Sequence, residues 1–75
     1  MKFIEMSGTE LSKIVTEHEL TREDLDQAGV NAQAIVRVNQ QGDIEVRRED
    51  HWDIVGGLIG NYYERIQKTL GRDWA

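Results

Sequence analysis

The segment from Ala34 to Arg48 constrains this chain more than any other. Asn39-Gln40-Gln41-Gly42 suits a type I turn in which Gly42 takes the left-handed conformation as a bulge. That turn sets a register. Asn39 faces Asp43, Val38 faces Ile44, Arg37 faces Glu45, Val36 faces Val46 and Ile35 faces Arg47. One face is then entirely apolar (Val36, Val38, Ile44, Val46). The other carries Ile35, Arg37, Glu45 and Arg47, with an opposite-charge pair directly across the strands. Turn chemistry and side-chain alternation therefore agree on one antiparallel hairpin.

The residues before it carry helix boundary signals. Lys2–Met6 is short, apolar-rich and closed by Ser7-Gly8, as a strand would be. Ser7 and Glu10 match a capping box, and Leu11, Ile14, Val15 and His18 follow on one helical stripe. The spacing predicts a helix from about Gly8 to His18. Thr21 and Asp24 suit the start of a second helix, with Leu20 and Leu25 as a hydrophobic staple. Gly29 suits its stop, with Val30 folding back on Leu25. Two helices in tandem raise the helix-turn-helix motif. Glu23, Asp24 and Asp26 on the second helix oppose that reading, because a recognition helix must donate to phosphates and base edges.

After Glu49 and Asp50, the residues Trp52, Val55, Ile59, Tyr62 and Ile66 recur at helical spacing up to a Gly71 stop. This predicts one long C-terminal helix ending near Leu70. Gly56, Gly57 and Gly60 interrupt it, and together they destabilise a helix by roughly 2–3 kcal/mol relative to alanine. On one helix Gly56 and Gly60 would share a face that admits close approach of the sheet or the first helix. A second arrangement keeps Trp52–Val55 extended, turns at Gly56-Gly57 and starts the helix at Leu58. A phosphate-cradling loop is disfavoured, since no Lys-Ser/Thr pair and no nearby base accompany these glycines.

The expected fold is α+β in the order β-α-α-β-β-α. A small antiparallel hairpin or sheet packs against a long C-terminal helix and two short ones, in a single domain over residues 1–75. The expected core is Val36, Val38, Ile44 and Val46 with Phe3 or Ile4, Leu11, Ile14, Val15 and Leu25.

Composition narrows the functions. The 75 residues contain no Cys and carry a net charge of −5, most of it before residue 31. Disulfides and thiolate metal sites are excluded, and the two histidines, His18 and His51, lack ligand spacing, so no metal and no cofactor is expected. Acidity disfavours phosphate backbones, so nucleic-acid binding is not expected. The first residues have no apolar signal segment, and the longest uncharged run is far short of the roughly 20 residues of a membrane span. A cytoplasmic protein is expected, with no membrane partner. No nucleophile or acid–base constellation appears, so no enzymatic activity is expected.

The expected role is a small protein-interaction or regulatory module, with a protein partner or a homodimer. Its surface would be the exposed side of the C-terminal helix: Gly56, Gly60, Tyr63 and Trp74. Trp74, close to the C-terminus, either docks on its own core, which is the favoured reading, or anchors in a partner. The alternatives are nucleic-acid binding through Arg37, Arg47 and Arg48, and a non-catalytic accessory subunit of an enzyme.

Overall fold

The computed structural model describes residues 1–75. The chain is α+β, and the expected elements follow in the expected order, with one more strand before the last helix. They are β1 (Phe3–Ser7), α1 (Gly8–Ile14), α2 (Arg22–Gln27), β2 (Ile35–Asn39), β3 (Asp43–Arg47), β4 (Trp52–Gly57) and α3 (Tyr62–Leu70). The strands form one sheet in the order β1-β2-β3-β4, with every neighbouring pair antiparallel.

The hairpin has the expected register, with Val36 opposite Val46, Arg37 opposite Glu45 and Val38 opposite Ile44. Gly42 sits at φ 88°, and its N–H donates to the Asn39 carbonyl across the turn. A side chain is excluded there on two grounds. The backbone is left-handed, and a Cβ would stand 2.7 Å from the Leu58 carbonyl oxygen. Alternation puts Val36, Val38, Ile44 and Val46 on the inner face, where they are buried. Ile4 and Met6 from β1 join them, while Phe3 points the other way. Leu11, Ile14, Leu20, Leu25, Val30, Leu58 and Ile66 complete this core from the helical side. All three helices thus serve the same face of the sheet.

The helix boundaries follow local chemistry. Ser7 and Glu10 bond reciprocally at the start of α1, and Thr21 and Asp24 do so at the start of α2. At the end of α2 the Val30 N–H reaches the Leu25 carbonyl and the Gly29 N–H reaches that of Asp26, the two bonds of a Schellman stop. Gly29 takes φ 73° and makes that stop possible.

Three expectations change. First, α1 ends at Ile14, four residues early, and His18 lies exposed in a turn. Ile14-Val15-Thr16 is a β-branched run, which helices disfavour. The Glu19 carboxylate then captures the Thr16 N–H and hydroxyl and closes the turn. Second, Trp52–Gly57 is strand rather than helix; Trp52–Val55 is extended as in the second arrangement above, but Gly56 and Gly57 continue the strand instead of turning. A helix there would carry two adjacent glycines and leave the outer edge of β3 unpaired; extended, the same residues satisfy that edge. Third, α3 starts at Tyr62 rather than Leu58, and Ile59 is exposed instead of continuing the stripe. No helix of the chain is long and apolar enough to cross a membrane.

Candidate functional site: the uncovered face of the sheet

Since the helices share one side, the other side of the sheet has no layer on it. Its residues come from alternation: Phe3, Glu5 and Ser7 on β1, Ile35, Arg37 and Asn39 on β2, Asp43, Glu45 and Arg47 on β3, and Trp52 and Ile54 on β4. Ile35 is 55% exposed and Ile54 62% exposed, high values for isoleucines on regular strands. Apolar side chains presented together on a small domain mark a binding surface more often than scattered ones do.

Arg37 organises the centre. Its Nε and Nη2 donate to Glu45 Oε1 at 3.1 and 2.9 Å. The guanidinium lies between two rings, with its carbon 3.7 Å from the centroid of Phe3 and 4.1 Å from that of Trp52. Each such contact contributes about 0.5–2 kcal/mol according to its desolvation. Trp52 reaches this position by leaning inward from β4, and it also lies 5.6 Å from the Arg47 guanidinium. The result is an amphipathic strip across the face. Glu45 beneath it is only 8% exposed, yet its ionic partner and the residual access of solvent make that burial tolerable.

The residues proposed from sequence do not form one surface. Gly56 lies in β4, turned toward the helices, where a methyl would come 3.0 Å from Leu20. Its role is to give Leu20 room in the core. Gly60 sits in the loop before α3 at φ 68° with open space around it. The common helix face that would have joined these two therefore does not exist. Tyr63 and Trp74 do meet, but each occupies the other. Their rings stack at 5.9 Å and 13°, and the Tyr63 hydroxyl donates to Asp73 at 2.9 Å. That bond holds the Tyr63 pKa above its ordinary value. Trp74 is half-buried against the core, so its favoured docking on the domain itself holds.

Of the three arginines, Arg37 and Arg47 flank the same Trp52 ring on the open face, and Arg48 lies apart from them. Arg37 is engaged as above. Arg48 bonds Asp53 and the Ala28 carbonyl at the helical side. Arg47 alone of the three has no ion pair. They form no common basic patch, and Glu5, Asp43 and Glu45 share the sheet face with Arg37 and Arg47.

The sheet edges are closed to a different degree. On β1 the Phe3 N–H and carbonyl pair with Ala75, Arg72 donates to the Glu5 carbonyl, and the Ser7 N–H is bonded to Glu10. Arg72 also grips Glu10 at 2.6 and 2.8 Å, and with Ser7 it lowers the Glu10 pKa to about 2. The β4 edge is kinked by a bulge between its pairs to Ile44 and Glu45, and it carries Asp53 and two glycines. Bulges, charges and covered edges all oppose strand addition. Of the sheet itself, the face is the part left open.

His51 bonds its neighbour Asp50, His18 is exposed, and no group of three His, Cys, Asp or Glu side chains is placed to hold a metal ion. A recess between α1 and α2 is lined by Ser12 and Thr16, whose hydroxyls already serve Thr9 and Glu19. Compared with known proteins, the chain matches no family model, no curated protein and no solved structure.

Sequence reasoning missed this face because it turned Trp52 and Ile54 onto a helix. The signal that could have found it was Trp52-Asp53-Ile54-Val55 itself, an aromatic and β-branched run followed by paired glycines.

Proposed function

We propose that the protein is a small protein-interaction module that binds through the uncovered face of its sheet. One observation carries this: a four-stranded sheet with every helix on one side presents Ile35, Ile54 and a Phe3–Arg37–Trp52 stack on the other. Aromatic and arginine side chains are the types enriched at the centres of protein interfaces. Arg37 is already immobilised, so binding would lose little side-chain entropy there. The acidic chain favours a protein surface over a nucleic acid. A cytoplasmic site of action belongs to the same proposal and is supported by a sequence without Cys.

The test is a photo-crosslinking amino acid at Ile54, with a second at Lys68 on α3 as control. The reading expects adducts, to any protein, that depend on the Ile54 position. Equal adducts from both positions, or none from either, would refute it.

A further inference from the structure

We propose that the outer edge of β1 is a docking site for an extended, arginine-bearing segment of another protein, and that residues 72–75 lie on it as a strap that detaches to admit that segment. The site is the edge of the sheet, so the inference stands independently of the open face.

The strap imitates a strand without completing one. The Phe3 N–H donates to the Ala75 carbonyl at 3.1 Å and the Ala75 N–H to the Phe3 carbonyl at 2.9 Å, the reciprocal bonds of an antiparallel pair. Alternation makes Glu5 the next residue whose backbone groups face away from β2. A regular strand would pair there through Asp73. Instead the Glu5 carbonyl accepts from Arg72 Nη1 at 3.0 Å, and the Glu5 N–H has no acceptor in the tail. A recess lined by Phe3, Glu5, Arg72 and Asp73 lies between the tail and the strand. Free backbone groups at a sheet edge are what an added strand pairs with. An incoming extended segment can make both backbone bonds at Glu5 that the strap omits.

The side chains that fix the strap state what the site recognises. Arg72 grips Glu10 at 2.8 and 2.6 Å. Asp73 accepts from the Tyr63 hydroxyl at 2.9 Å, and Trp74 stacks on the Tyr63 ring. The site therefore takes a guanidinium at Glu10 and, two residues on, an aromatic ring at Tyr63. Charge agrees with this. Glu5 has no ion pair, and Glu10 has none but the one to Arg72. An edge stripped of its strap presents both carboxylates, which a cationic segment would offset.

The hold of the strap is light. The Arg72 and Glu10 side chains are 44% and 26% exposed, so water and salt screen their pairing. Gly71, at φ 66°, is the joint where the strap leaves α3. Strap and incoming segment compete for one site, with the strap at an effective concentration of about a millimolar or more.

An NMR titration tests this, using the full chain with Arg72→Ala and Trp74→Ala and a synthetic peptide of residues 71–75 as the probe. Saturable shifts are expected at the Phe3 and Glu5 amides. The wild-type chain should bind the peptide at least ~10-fold more weakly, because its own strap competes. The same peptide with Arg72→Glu should also lose at least ~10-fold in affinity for the variant. No shift at those amides in the folded variant, equal affinity of variant and wild type, or equal affinity for the two peptides overturns the proposal. Should the variant fail to fold by circular dichroism, hydrogen exchange of the wild type decides. The Phe3 amide should then exchange at least ~10-fold faster than the slowest amides of the chain. Equal protection would mean that the strap opens only when the whole domain unfolds, and it would overturn the proposal as well.

Discussion

Replacing Glu19 with Gln should remove a large share of the stability of this domain, and mainly above pH 4.5. The Glu19 side chain is 0% exposed, and its two oxygens accept five hydrogen bonds. Two come from Thr16, one from the Ile59 N–H at 2.7 Å and two from Arg65 at 2.9 and 2.6 Å. Arg65 also bonds the carbonyls of Ile14 and Ile59. One ion pair thus ties the end of α1, the turn before α2 and the loop before α3. Burial pushes the Glu19 carboxyl up, but the Arg65 bonds and the Ile59 and Thr16 N–H groups outweigh it, and the pKa falls from 4.5 to about 2. At about 1.4 kcal/mol for each tenfold change, that fall caps the contribution at roughly 3 kcal/mol. Arg65 remains 22% exposed, and solvent screening there brings the figure nearer ~2 kcal/mol. Gln adds an amide that faces existing donors, which restores the total to about 2–3 kcal/mol. A domain of this size melts roughly 4–8 °C lower per kcal/mol, so a drop of about 10–20 °C is expected. The direction with pH follows from the sign of the shift. A depressed carboxyl stabilises the folded state fully above its unfolded value of 4.5, and the effect fades as pH falls toward 2. Urea unfolding followed by circular dichroism, on wild type and variant at pH 7 and pH 2, measures both quantities. A difference below ~0.5 kcal/mol at pH 7, or one equally large at pH 2, would refute the reasoning.

Other substitutions test separate parts of the fold. Gly8→Ala should destabilise by more than ~3 kcal/mol in urea unfolding, because its methyl would stand 1.8 Å from the Asn31 carbonyl oxygen. Asp73→Asn should bring the Tyr63 phenol back down toward 10.0 in a spectrophotometric titration, since the Asp73 carboxylate is what raises it. Arg37→Lys should cost about 1–2 kcal/mol in thermal unfolding despite keeping the charge, because an ammonium can neither stack flat between Phe3 and Trp52 nor fork onto Glu45. Trp74→Ala should unstack Tyr63 and loosen the tail, with faster hydrogen exchange at the Phe3 amide that now bonds Ala75.

Local rules were legible where partners lie within a few residues of one another. The Asn39–Gly42 turn, both capping boxes and the Gly29 stop are decided by side chains reaching their own neighbours, and each forms as the residues predict. Once the turn set the hairpin register, the inner face of Val36, Val38, Ile44 and Val46 followed from alternation. Ile4 rather than Phe3 entering the core was left open by the sequence, because only pairing with β2 determines which way β1 faces.

What the tertiary structure decided lies where partners are far apart in the chain. Trp52–Gly57 fits a helical stripe by spacing, and the unpaired edge of β3 makes it a strand instead. Val15 could have prolonged α1, but Glu19 is drawn to Arg65, 46 residues later, and the turn closes early. Gly56 serves Leu20, Gly8 serves Asn31, and Arg37 is gripped by rings from the first and last strands. A residue sequence encodes short-range hydrogen bonds and side-chain alternation almost directly, because their geometry repeats from one chain to the next. Close approach between distant segments depends on the final packing of the whole domain, and so the choice between competing local conformations waits for it.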